Sequence, residues 1–498
     1  MLGLFSTTPD HPLAAAKEAR RIATDIAQQP AAKAVSDATN WFESLAGVDG
    51  FTPALRFDRS AELAVASLPH ARRLAREYMS GSSQTKPQEQ QFWRLGQDYW
   101  LHLGHALERC LSDYDADPKS ARSFQPRLGD LLTALLMAYG TQSRWLSLRY
   151  DPTPESLWGK LGQIYLRAVT EGVTNSESQP FDTVEGVSSP AREYLKTLIL
   201  HASATHNLLP AEMGLAERLL GRFLQHFVLS GDPGTDAILW IDANTPMPPA
   251  RLTQPLPASD SMRYVRPGTA SPALRQLRDT AAAARELPSD LAFGGQYARE
   301  TVLRVLDQLI SGWSSTPPKR RNMRHDISSR VAVVTGLAAV RNRLTDESSD
   351  ANDIVSWQVV NISQGGISAK LKLAQGDRIK VGTLVGYRPD GSQVWQIGAI
   401  RRLVRDKESM ATVGIEKLSK LPRAASFMDG GLQTDVILLD AIQDGGTIRV
   451  LLETSHWEDG AALVALLDGL PWQLNADEKL EVSDEWMMGR CSVDLLGN

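Results

Sequence analysis

The sequence predicts a multidomain α + β protein. It should hold an N-terminal all-α helical bundle, then a six-stranded antiparallel β-barrel, then a small C-terminal mostly-β domain. Three observations carry that expectation. The chain has 498 residues, too many for one ordinary core. Its first 230 residues repeat apolar positions at helical spacing. Beyond the Pro-Pro pair at 317–318 the pattern changes to short β-branched runs bounded by Gly, Asp or Ser.

Composition narrows the function classes. An apolar fraction of 42% and a charged fraction of 22% are those of a soluble globular protein. With 53 Lys+Arg against 58 Asp+Glu the net charge is −5, which argues against a general DNA or RNA binder. Local basic clusters can still hold a small anion. Cys110 and Cys491 stand nearly the full chain apart, which excludes a disulfide framework and a cysteine zinc site and suits a reducing cytosol. No apolar run approaches the roughly eighteen residues of a membrane span, and the start MLGLFSTTPDH is no convincing signal peptide. A cytoplasmic location is expected.

Residues 1–230 read as the bundle. PLAAAKEARRIATDIAQQ and SAELAVASLPHARRLAREYM are rich in helix formers, with Pro and Gly mostly at their margins. Phe92, Leu95, Tyr99, Leu103, Leu107 and Cys110 recur at three- and four-residue steps, one buried helix face. Arg-Leu-Gly at 94–96 and 127–129 and Lys-Leu-Gly at 160–162 are spaced by 33 residues. Each period holds one long helix, which favours an up-and-down bundle over a helix-pair solenoid.

Residues 231–314 read as a Pro/Gly-rich connection with two short strands, AILWI and MRYV, and two further helices. SSTPPKRR is a joint. Residues 315–424 hold six strand-like runs, from ISSRVAVVTG to MATVGIEKL, enough for a small barrel. Residues 425–498 should add strands at DVILLDAI, TIRVLLETS, WQLNA and GRCSVDLL, with one short helix near DGAALVALLDG. They form either a second β domain or an extension of the first.

Two stretches carry the functional reading, RRNMR at 320–324 and NISQGG at 361–366. Arginine's planar fork matches both phosphate oxygens and the O6/N7 edge of guanine, and its flat face stacks on a base. Asn361 and Ser363 share one side of a strand end, where short polar side chains can meet base edges or ribose. Gly365 and Gly366 open backbone conformations closed to other residues and remove a Cβ that would block close approach. Taken singly, arginines after Pro-Pro form a solvated linker, and Asn-x-Ser-x-x-Gly forms a hairpin turn. Together, with six strands around them, they point to ligand binding.

Arg-x-x-x-Arg before the first strand, with Asn-x-Ser-x-x-Gly between the second and third, resembles the signature of PilZ domains. Those are six-stranded barrels that bind cyclic di-GMP. The resemblance covers about residues 315–424 and includes Trp395–Gly398 and Val413–Glu416 as closing strands. It implies that Arg320, Arg324 and the neighbouring Arg321 take phosphates and guanine edges, that Asn361 and Ser363 read a guanine, and that Gly365 and Gly366 let the chain close on it. Asn rather than Asp at 361 removes a carboxylate that could pair with guanine N1 and N2. Lys319, before the first arginine, leaves open one ligand or an intercalated pair.

The resulting expectation is a cyclic di-GMP receptor without cofactor or metal. It signals through its helical region to a protein partner, and binding pins the 320–324 segment. A scaffold with a non-binding barrel and an enzyme hidden in the helical region are the alternatives. Asp98, His102 and His105 share one helical face, but Arg94 and Arg109 on that face suit a solvated stripe. No phosphate-binding glycine loop or nucleophile elbow is present.

Overall fold

The computed structural model describes residues 9–80, 85–181, 186–254, 256–257, 259–284, 286–287, 291, 297–316, 323–345, 353–373, 379–406, 410–429, 432–483 and 485–496. The chain divides into two compact units. Residues 1–205 and 210–318 form one, and residues 206–209 and 319–498 the other.

The first unit opens with α1 (Ala16–Ala27), α2 (Ala31–Gly47), α3 (Pro53–Ser80), α4 (Lys86–Ala116), α5 (Pro118–Phe124), α6 (Leu128–Ser147), α7 (Glu155–Thr170), α8 (Pro190–Ala202) and α9 (Pro210–Phe223). Local signals set several of these starts. Thr85 and Gln88 make a capping box on α4, and Ser189 caps α8 ahead of a first-turn proline. On α4, Tyr99, Leu103, Leu107 and Cys110 are fully buried, whereas Phe92 and Leu95 are half-buried. Charges lie inside this core, among them Arg56, Arg59, Glu193 and Glu212. Arg56 is fully buried, and its Nε donates to Asp113 Oδ2 at 2.6 Å. Its two terminal nitrogens donate to the carbonyls of Leu45 and Val48, the kind of pairing that a buried cation requires.

A four-stranded antiparallel sheet follows, from β1 (Val228–Ser230), β2 (Leu239–Asp242), β3 (Ala250–Arg251) and β4 (Met262–Arg266) in the order β1-β4-β2-β3. β2 and β4 coincide with the AILWI and MRYV runs; β1 and β3 are too short to carry a pattern. Helices α10 (Ala270–Ala283) and α11 (Arg299–Gly312) complete the unit.

The second unit holds two closed barrels. The first comprises β5 (His325–Thr335), β6 (Val355–Ser363), β7 (Gly366–Lys372), β8 (Leu384–Pro389), β9 (Gln396–Arg405) and β10 (Met410–Ser419), ordered β10-β7-β6-β5-β8-β9 with every pair antiparallel. Between β5 and β6 lies a helix the sequence reading lacks, α12 (Leu337–Thr345), which drops Val340 into the core.

The other barrel comprises β11 (Arg423–Asp429), β12 (Leu432–Leu438), β13 (Thr447–Leu452), β14 (Ala462–Leu467), β15 (Leu470–Val482) and β16 (Met487–Leu495), ordered β11-β12-β13-β16-β15-β14. This corrects the short helix expected at DGAALVALLDG, where the chain forms β14. Leu463, Ala465 and Leu467 point in while Val464 and Leu466 point out, a period of two that no helix face can satisfy. Asp468 and Gly469 both take positive φ, 54° and 78°. That is the two-residue turn that joins twisted strands without splaying them.

The two barrels share apolar packing. Leu384, Ile397 and Leu418 of the first meet Ile437, Leu451 and Trp486 of the second in one buried cluster. Trp486 Nε1 donates to the Gly382 carbonyl at 2.8 Å, and Ser419 Oγ donates to the Leu439 carbonyl at 2.6 Å.

Candidate functional site

The polar turn lies where the sequence pattern puts it. β6 ends at Ser363, Gln364 and Gly365 turn, and β7 begins at Gly366. Ser363 pairs with Gly366, and its Oγ donates to the Gly366 carbonyl at 3.2 Å. The Gly365 carbonyl accepts from the Lys417 N–H at 2.8 Å, which ties the turn to β10.

Gly366 departs from one expectation. Its φ lies outside the left-handed region, so conformational freedom is not what glycine supplies here. A Cβ at this position would stand 1.9 Å from the Ile415 carbonyl oxygen on β10. Glycine is required because two strands of the barrel pass closer there than any side chain allows.

The register assembles a polar row on the outer surface. Asp326 on β5 opposes Asn361 on β6, Asn361 opposes Ser368 on β7, Ser368 opposes Gly414 on β10, and Gly414 opposes Arg402 on β9. Alternate neighbours Ile367, Val413 and Leu403 are buried, so the row faces away from the core. At about 4.8 Å per strand step the row spans roughly 19 Å along the surface. Its middle, Ser368 and Gly414, is small and makes a shallow floor.

Arg324, just ahead of β5, is exposed. Partial desolvation first, and the Arg324 charge second, hold Arg402 below the ordinary arginine range. Two guanidiniums therefore share one field over the floor. Asp326 and Arg402 escape sequence reading because each belongs to a different strand, and only barrel closure brings them into line with Asn361. Arg320 and Arg321 lie outside the described residues. Among the others, Arg324, Asn361, Ser363, Gly365 and Gly366 meet at one end of β5, β6 and β7.

On α4, His102 and His105 meet edge to face at 5.8 Å. Among the described residues no cluster of three His, Cys, Asp or Glu side chains could hold a metal ion, and no helix is long and apolar enough to cross a membrane.

Residues 17–234 match the family described as the cyclic-di-GMP receptor FimW, N-terminal domain. Residues 339–424 match its companion, the cyclic-di-GMP receptor FimW, middle PilZ domain. No curated protein matches the chain.

Proposed function

The chain belongs to the FimW family of cyclic-di-GMP receptors, and from that premise we propose that the outer row of the first barrel is the floor on which it holds the dinucleotide. Arg320, Arg321 and Arg324 clamp phosphates and guanine edges. Asn361 and Ser363 read a guanine from the end of β6. Asp326, the cross-strand neighbour of Asn361, supplies the carboxylate that an amide at 361 lacks, and accepts from guanine N1 and N2. Arg402 closes the far side of the floor.

The observation that carries this reading is the alignment of Arg324, Asn361 and Ser363 at one barrel end, beside a floor of small residues and a second cation. A group of arginines on one face favours a ligand with two phosphates. The chain acts as a receptor rather than an enzyme, in the cytoplasm, and passes the signal through its helical region to a protein partner.

Calorimetric titration of the full chain with cyclic di-GMP tests the site. A hydrogen bond to a charged group is worth roughly 1.5–3 kcal/mol. Arg324→Ala, which removes up to two, should weaken binding on the order of a hundredfold. Asp326→Asn should weaken guanine recognition roughly tenfold or more. Wild-type affinity in both variants would remove this face from the site.

A further inference from the structure

The helical unit contains a cleft of its own. Its helices pack in a ring, α3 to α4 to α6 to α8 to α9 and back to α3. Within that ring lies a cavity of about 580 Å³, inside the range of roughly 300–1,000 Å³ typical of small-molecule sites. Its inner wall is apolar. Leu68, Ala71, Ala75 and Met79 form one stripe of α3, at three- and four-residue steps, and Met137 of α6 and the buried Trp100 of α4 continue it. The two methionines are unbranched and polarisable, side chains that adapt to the shape of what they meet.

Six cations also line the cleft. Arg72 and Arg76 stand one turn apart on α3, Arg192 and Lys196 one turn apart on α8, and Arg144 and Arg218 come from α6 and α9. Among the described residues only two carboxylates line the cleft, Glu193 and Glu217. Both are engaged. Glu217 holds Arg144 at 2.6 Å. Glu193 accepts from Ser188 Oγ at 2.6 Å and lies 4.0 Å from Lys196. Arg76 and Arg192 have no side-chain hydrogen bond or ion pair among the described residues.

An apolar interior beneath a positive mouth selects a ligand with the opposite arrangement. A cation meets repulsion at the entrance, and a wholly polar anion leaves the interior unfilled. We infer that this cleft binds a small amphipathic anion, one negatively charged head on a compact hydrocarbon body. The head lies against the arginine forks, which suit carboxylate, sulfonate and phosphate alike. The body fills the space beside Ala71, Ala75 and Met137.

The probes are anilinonaphthalenesulfonate, a sulfonate on an aromatic body, and two competitors of equal chain length, decanoate and decyltrimethylammonium. On the full chain the sulfonate should bind saturably, with its fluorescence reversed by decanoate and not by the ammonium. Joint Arg76→Glu and Arg192→Glu substitution, at exposed positions, should weaken binding roughly tenfold or more. Gly221→Trp should abolish it. Gly221 is an exposed residue lining the cleft on α9, and a Cβ there meets nothing within 4 Å, so a ring has room at the rim of the cavity without moving the backbone. Circular dichroism and cyclic di-GMP affinity should stay at wild-type values in both variants, which separates loss of the cleft from loss of fold or of the barrel site. Absence of saturable binding, unchanged affinity in either variant, or equal displacement by the ammonium overturns the assignment.

Discussion

Gly366 shows how one residue type can answer two demands that the sequence does not distinguish. The motif implies a glycine that lets a ligand approach, whereas the nearest atom to a Cβ at 366 is a carbonyl oxygen of β10, 1.9 Å away. Gly366→Val should therefore push β10 off β7 and destabilise the barrel by roughly 1–3 kcal/mol or more. Urea unfolding of the variant measures this, and a wild-type midpoint would restore the ligand as the sole reason for glycine. A second residue ties stability to pH. His11 Nδ1 accepts from the Leu13 N–H while Nε2 bonds Ser44 Oγ, and burial, then the Arg56 charge, hold its pKa below the usual histidine value. The unfolded chain takes up the proton first. The His11 contribution is thus complete above about pH 6.5 and is lost as pH falls through the lower, folded value. His11→Asn keeps a capping acceptor without titrating. It should flatten the fall in thermal midpoint between about pH 6.5 and 5, and an unchanged slope would assign that fall to other groups.

At the scale of elements, the decisive segment is the one that leads into β5. If residues 320–324 clamp phosphates, cyclic di-GMP should lower hydrogen exchange across residues 300–330, with a secondary change in α11. The coupling available is typically about 1–3 kcal/mol. Protection confined to 361–366 would reduce the barrel to a passive tether. The strands themselves are largely legible, because β5 to β10 are β-branched runs bounded by turn formers. α12 is not, since nine residues with Val340 and Arg343 as the buried ones carry too little periodicity to register. β14 misleads in the opposite direction. Its Ala and Leu favour helices in isolation, and tertiary pairing with β15 overrides that preference. The deciding sign is the Asp468-Gly469 turn. Of the site, the Asn361–Gly366 half is legible because a hairpin is local in sequence. The half proposed for Asp326 and Arg402 depends on pairings between distant strands, and no spacing rule reports those.

For the molecule as a whole, the packing between barrels decides how stability is shared. Trp486 is fully buried against the first barrel, so Trp486→Ala should cost about 3–5 kcal/mol. Hydrogen exchange in β8 and β13 should rise together, and loss confined to β13 would show two independent folding units. That packing also imposes an order of events on the ribosome. Leu384, Ile397 and Leu418 leave the exit tunnel before Trp486 has been made. At about 5–20 residues per second, the stretch from Leu418 to Trp486 takes roughly 3–14 s to translate. For the later part of that interval, once Leu418 has cleared the tunnel, the nascent first barrel shows water an oily side that the finished protein hides. Silent codon changes that slow translation between those two positions should therefore lower soluble yield without altering a single amino acid.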